Sequence, residues 1–188
     1  KNAKNLAVND VTFSNNDFRA ANCSSDFLNN LRFRDCKFES SVKYLNGGGG
    51  VIRINDRTTN ADYPETSNLE VQVQNLGLYG CTFNGNEAAT TLTNTSNYDG
   101  GVLCCYGNLD NTTIQGCTFT NCKVKGRGGA ISIGRGQTSY SMGNLKVENC
   151  TFTGCEATGS LGGAVAIRDG NFNYIWFEGC TFSGTKAA

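Results

Sequence analysis

The chain has 188 residues, with 16 basic and 16 acidic side chains, no net charge and no histidine. Balanced charge removes the long-range pull toward nucleic acid or an anionic membrane surface, and the missing imidazole removes histidine-based triads, His-ligated metals and the commonest general base. No apolar run reaches the roughly 18 residues of a membrane span, while 24 glycines and 24 asparagines mark a chain rich in tight turns.

Two short phrases alternate along the sequence. Lys1 opens the chain without a start Met or a signal-like apolar stretch, so a processed or excised piece is expected. The first phrase follows at once as LAVNDVTF (6–13), and after the polar segment SNNDFRAANCSSD (14–26) it returns as LRFRDCKF (31–38). GGVIRI (49–54) introduces the second phrase, with an insertion near 55–68 behind it. LGLYGCTF (76–83), an Asn-rich insertion near 84–99, GGVLCC (100–105) and TTIQGCTF (112–119) come next. GGAISI (128–133), LKVENCTF (145–152), GGAVAI (162–167) and IWFEGCTF (175–182) complete the series. The intervals between the phenylalanines that end the first phrase are 25, 45, 36, 33 and 30 residues. A constant phrase with loops of varying length is the pattern of a repeat architecture whose insertions are confined to loops.

Within the first phrase, Leu145 and Val147 alternate with polar neighbours, and so do Cys150 and Phe152. Both halves have the period of a strand, but the register slips by one residue at Asn149. Asp10, Asp35, Gly80, Gly116 and Gly179 occupy the matching place, and these residue types tolerate a left-handed backbone best. A sharp bend between two short strands is predicted there, and the glycine pair of the second phrase turns a further corner into a third strand. The architecture predicted is all-β: a single-domain, right-handed parallel β-helix of about six coils over 1–188.

Stacked coils align equivalent residues into columns about 4.8 Å apart. Phe13, Phe38, Phe83, Phe119, Phe152 and Phe182 form one expected core column, and Cys36, Cys81, Cys117, Cys150 and Cys180 form another, where Val11 stands in the first coil. Three residues after each Phe stand Asn16, Ser41, Asn86, Cys122, Cys155 and Thr185. In-register parallel neighbours rarely offer disulfide geometry, so reduced core thiols are expected, and Cys122 with Cys155 is the pair to test first for a bond. Cys105 takes an inward place. Cys104 takes an outward one and Cys23 lies in a coil without the second phrase, so these two are the candidate exposed thiols. No zinc-type cysteine spacing occurs, and no cofactor or metal is expected.

Glycosylation sequons stand at Asn22, Asn94, Asn111 and Asn149. Thr118, Thr120, Thr151 and Thr153 belong to an outward hydroxyl array, interrupted at Lys37 and Glu39, that resembles the faces of ice-binding β-solenoids. Asp56, Arg57, Asp62 and Glu65, with Arg53 nearby, and Arg168 with Asp169, are the charged groups a sugar-cleaving β-helix would draw on, but they do not repeat along one groove. Aromatics outside the two columns (Tyr63, Tyr98, Tyr106, Tyr140, Phe172, Tyr174 and Trp176) suit contact with sugars or proteins, and Trp176 takes an outward strand position.

The GGA[ILV]-like second phrase, together with FSNN (13–16) and FNGN (83–86), resembles the repeats of polymorphic outer-membrane proteins and similar adhesin-like surface proteins. The resemblance extends over about 6–185 and implies a parallel β-helix at a cell surface, and it carries no catalytic residue. The expected role is therefore non-catalytic: an extracellular or cell-surface structural or adhesive protein, as a fragment of an adhesin or as a subunit stacking end to end into filaments. Its partners would be copies of itself or the glycans and proteins of a cell surface, with no nucleic acid and no membrane span. A carbohydrate-binding or carbohydrate-cleaving β-helix is the alternative, and an ice-binding solenoid the third.

Overall fold

The computed structural model describes residues 2–15, 21–23, 27–40, 42–43, 50–54, 72–88, 99–105, 108–134, 141–168 and 171–188. Among these the protein is all-β, with no helix. The strand pairings are all parallel.

Four sheets share the strands. A long-strand sheet includes Asn2–Asn9, Phe27–Arg34, Gly77–Tyr79, Thr112–Gln115, Ser141–Glu148 and Asn171–Glu178. A phenylalanine sheet runs through Thr12–Ser14, Lys37–Glu39, Thr82–Asn84, Thr118–Thr120, Thr151–Thr153 and Thr181–Ser183. A glycine-pair sheet holds Ala21–Cys23, Ile52–Ile54, Leu103–Cys105, Ile131–Ile133 and Val165–Ile167. A fourth sheet of two-residue strands joins Val42–Lys43, Glu87–Ala88, Lys123–Val124, Glu156–Ala157 and Lys186–Ala187.

Three of these features differ from the expectation. The two-residue sheet adds a strand that the phrases do not mark. Ala21–Cys23 pairs with Ile52–Ile54, so the first rung reaches the glycine-pair sheet without a glycine pair, because a ladder needs only backbone groups. Residues 84–88 lie in the ladders, so the second insertion begins after Ala88. The insertion near 55–68 lies outside the described residues.

A five-residue step generates the rungs. Left-handed backbone recurs at Asn30, Asp35 and Ser40, then at Asn75, Gly80 and Gly85, then at Asn111, Gly116 and Asn121. After Asn30, Asp35, Asn75 and Gly80 the first and third side chains point inward: Leu31 and Phe33, Cys36 and Phe38, Leu76 and Leu78, Cys81 and Phe83 are all buried. The left-handed place forces an L-residue's Cβ toward the following carbonyl, which is why it is filled by Asn, Asp, Ser or Gly. At the glycine pair the requirement is different. Gly128 has φ 66, but a Cβ on Gly129 would stand 2.2 Å from the carbonyl oxygen of Gly163, so the second glycine is needed for close approach of rungs.

The main core is an apolar cluster running from Leu31 to Ala164, with a smaller one of Ala88, Val124 and Ala157 along the two-residue sheet. Its axis is the phenylalanine column. Successive rings from Phe13 to Phe182 lie 4.7–4.9 Å apart and within 1–7° of parallel. Such alignment means that one rung is almost a pure translation of the last, a flatness that stacked identical side chains support.

Candidate functional site

The cysteine column is the most regular chemical feature of the interior. Cys36, Cys81, Cys117 and Cys150 are buried, Cys180 is half-buried, and all five are free thiols. Each Sγ faces two carbonyls, one in its own strand and one on the previous rung: Cys81 donates to Tyr79 and Phe33 at 3.4 Å, Cys117 to Leu78 at 3.4 Å and Gln115 at 3.5 Å. Cys150 repeats this with Glu148 at 3.2 Å and Ile114 at 3.5 Å. The thiols also meet one another. Its contacts with Cys150 and Cys81, and then burial, push the Cys117 pKa up. The same contacts draw Cys81 down to about 7 and lower Cys150. Burial raises Cys36 and Cys180 at the two ends.

A second, shorter column explains why cysteine replaces asparagine in the later repeats. Asn86 Nδ2 donates to the Phe38 carbonyl at 3.0 Å. One rung on, the Cys122 thiol faces the Phe83 carbonyl at 3.7 Å, and the Cys155 thiol faces that of Phe119 at 3.6 Å. All three are donors to the phenylalanine of the preceding rung, and asparagine and cysteine exchange there because both supply one. Cys122 and Cys155, the pair singled out from the sequence for a bond, are both free and buried. Each sulfur faces the carbonyl of the preceding rung's phenylalanine, and no bond joins the two. Burial, then Cys155, raises the pKa of Cys122, while donation from Cys122 lowers Cys155.

The outward thiol expected at Cys104 is corrected: its side chain is fully buried, as is that of Ser132 beside it in the ladder. The physical reason is that the outward face of this strand is covered, with Cys104 standing in register between Arg53 and Ser132. At Gly100, φ 69, the chain doubles back so closely that a Cβ there would lie 2.1 Å from the Leu103 carbonyl oxygen and 3.2 Å from the Cys104 nitrogen. Cys23 holds the register place of Ile54, but its side chain lies outside the described residues, as do those of Asn22 and Asn94.

On the outer face of the phenylalanine sheet, Thr118 and Thr120 pair in register with Thr151 and Thr153. Thr153 is exposed and the other three are half-buried. Lys37 and Glu39 stand in the same two outward ranks, against Thr82 and Asn84 of the next rung. On the outer face of the long-strand sheet, Tyr174 and Trp176 are 46% and 40% exposed, with their rings stacked 5.5 Å apart. The Trp176 indole nitrogen donates to Glu178 at 3.0 Å. On the neighbouring strand Lys146 pairs with Glu148 at 2.7 Å, and that hydrogen bond raises the lysine pKa.

Asp56, Arg57, Asp62, Glu65 and Asp169 lie outside the described residues, with Tyr63, Tyr98, Tyr106 and Tyr140. Arg168 points instead at Asp99, which the sequence does not single out. This carboxylate is 3% exposed, accepts the Arg127 backbone N–H at 2.8 Å, and has the Arg127 and Arg168 guanidinium nitrogens each 4.0 Å away. Among the described residues no group of three or more Cys, Asp or Glu side chains is placed to hold a metal ion. The sequon asparagines Asn111 and Asn149 are exposed, both with left-handed backbone.

A column of asparagines also escaped the sequence reading. Asn30 Nδ2 donates to Asn5 Oδ1 at 2.8 Å, Asn75 to Asn29 at 2.9 Å, and Asn144 to Asn111 at 2.9 Å. Its signal was present as Asn five residues before the bend, in NLAV, NLRF, NLGL, NTTI and NLKV.

Set beside known proteins, the chain matches no family model, no curated protein and no solved structure.

Proposed function

We propose that the four parallel sheets are the walls of one right-handed parallel β-helix, and that the chain is a non-catalytic structural or adhesive module of an extracellular or cell surface, whose copies stack end to end. The carrying observation is the phenylalanine column. Its six rings keep one spacing and one orientation, so each rung presents to the next a surface of the same shape. At the outermost described rungs that surface is apolar: Phe182 is 48%, Ile175 41% and Phe177 38% exposed, and Leu6 and Val11 are 50% and 37% exposed. Their counterparts in the rungs between are buried. Apolar surface and strand edges of this kind favour pairing with a like edge. Exposed Asn111 and Asn149 in sequons support the extracellular setting.

Negative-stain electron microscopy of the purified chain, with sedimentation velocity, tests the stacking. Fibres with an axial repeat near 29 Å, six strand spacings, are expected. Monomers at every concentration would overturn self-assembly and leave the adhesive role.

One observation favours contact with glycans as a second reading. Tyr174 and Trp176 form an exposed stacked pair with Glu178 and Lys146 at hand, a combination of apolar ring and polar partner that suits sugars. A glycan screen in which Trp176→Ala abolishes binding would support it, and a blank screen would remove it.

A further inference from the structure

We infer that the column Cys36–Cys81–Cys117–Cys150–Cys180 is a binding site for a soft monovalent cation of the Cu(I) or Ag(I) class, held two-coordinate between the sulfurs of successive rungs. Spacing comes first. Every thiol in the column faces the same two kinds of carbonyl, its own strand's and the previous rung's. The sulfurs therefore share one orientation and repeat at the distance between strands, about 4.8 Å. A sulfur–metal–sulfur line built from bonds of about 2.3 Å spans about 4.6 Å. The gap between rungs fits one such ion with little movement of the backbone.

Coordination number comes second. No third metal-binding side chain converges on the column among the described residues, so a tetrahedral zinc set is not assembled. Two thiols in line, and nothing else, is a soft-ligand site, and thiolates select Cu(I) over harder ions. Third is charge. Burying an unpaired ion in an apolar core is costly, but here one cation replaces one proton. At Cys117 the S–H bond breaks and a sulfur–metal bond forms. The proton leaves to solvent, Cys150 donates a sulfur lone pair to the other side of the metal, and the oxidation state of every atom is unchanged. The half-buried Cys180 is the point of entry to the column.

The test is titration of the full, folded, reduced chain with Ag(I) alone in chloride-free buffer. Uptake is read by native mass spectrometry and by the ultraviolet thiolate-to-metal absorption. Several cations per chain are expected, each with loss of one proton. Cys117→Val interrupts two of the gaps and is expected to bind two fewer; valine is native to this place in the first rung, as Val11. Cys104→Ser, outside the column, is expected to lose none. Equal uptake in the wild type and in folded Cys117→Val would overturn the proposal. A folded wild type that shows no absorption band overturns it whatever the variants do, and Cys150→Val serves the same comparison if Cys117→Val does not fold.

Discussion

Gly80 lies directly over Asp35: a Cβ on the glycine would stand 2.4 Å from the Asp35 Oδ1, and both residues hold left-handed backbone, at φ 60 and φ 53. The same arrangement recurs with Asn149 beneath Gly179, whose missing Cβ would stand 2.3 Å from the Asn149 Oδ1. The carboxylate is the far end of a side chain that can swing away, so the dihedral is the harder constraint. Gly80→Ala is expected to cost about 1–2 kcal/mol, and Gly80→Asn less. Urea denaturation of the two variants checks the order, and an asparagine no better than alanine would contradict it.

At Gly129 the obstacle is backbone. The missing Cβ would meet the Gly163 carbonyl oxygen at 2.2 Å and the Glu156 nitrogen at 2.5 Å, neither of which can rotate aside. Gly129→Ala is therefore expected to lower the melting temperature more than Gly80→Ala, even though the left-handed φ belongs to Gly128. Equal losses would show that rung spacing there is softer than the contacts imply.

Phe119 is fully buried between the rings of Phe83 and Phe152. Phe119→Ala is expected to cost about 3–5 kcal/mol, the range for emptying an aromatic site in a core. Phe182, 48% exposed at the outermost rung, is expected to lose only a fraction of that on the same change, measured by chemical denaturation at low protein concentration.

Stability under reducing conditions is expected to depend on pH through the thiols, with two windows of opposite sign. Cys81 releases its proton in the folded chain near 7 but in the unfolded chain near 8.5, so the unfolded state holds more protons between those values and stability rises with pH. Cys36, Cys122 and Cys180 are raised by burial and keep their protons above about 8.5, where unfolded thiols lose theirs, so stability then falls. Melting temperatures from pH 6 to 10 check both signs. Cys117→Val removes the donor to Cys81 and is expected to flatten the rising limb.

The six-fold phrase made the phenylalanine and cysteine columns legible, because each position is filled by one residue type that survives changes of loop length. The bends after the phenylalanines were not, since Asn15, Ser40, Gly85 and Asn121 share a backbone conformation and no chemical identity. Ala21–Cys23 has no glycine pair and is only three residues long, too short for alternation to announce a strand. Cys104 was misjudged for a different reason. Alternation assigns it to the outer face correctly, but outer was equated with wet, and in a parallel sheet a chain segment often covers that face too.

On the proposed β-helix, the near-parallel phenylalanine rings have a consequence for how such a chain can lengthen. Duplicating or deleting one rung shifts everything beyond it by a single strand spacing along the axis and turns it by almost nothing. Side chains on a given wall keep facing the same compass direction however many copies are inserted. Length and surface pattern can therefore drift independently over generations, in the way a ruler can be extended without redrawing its edge.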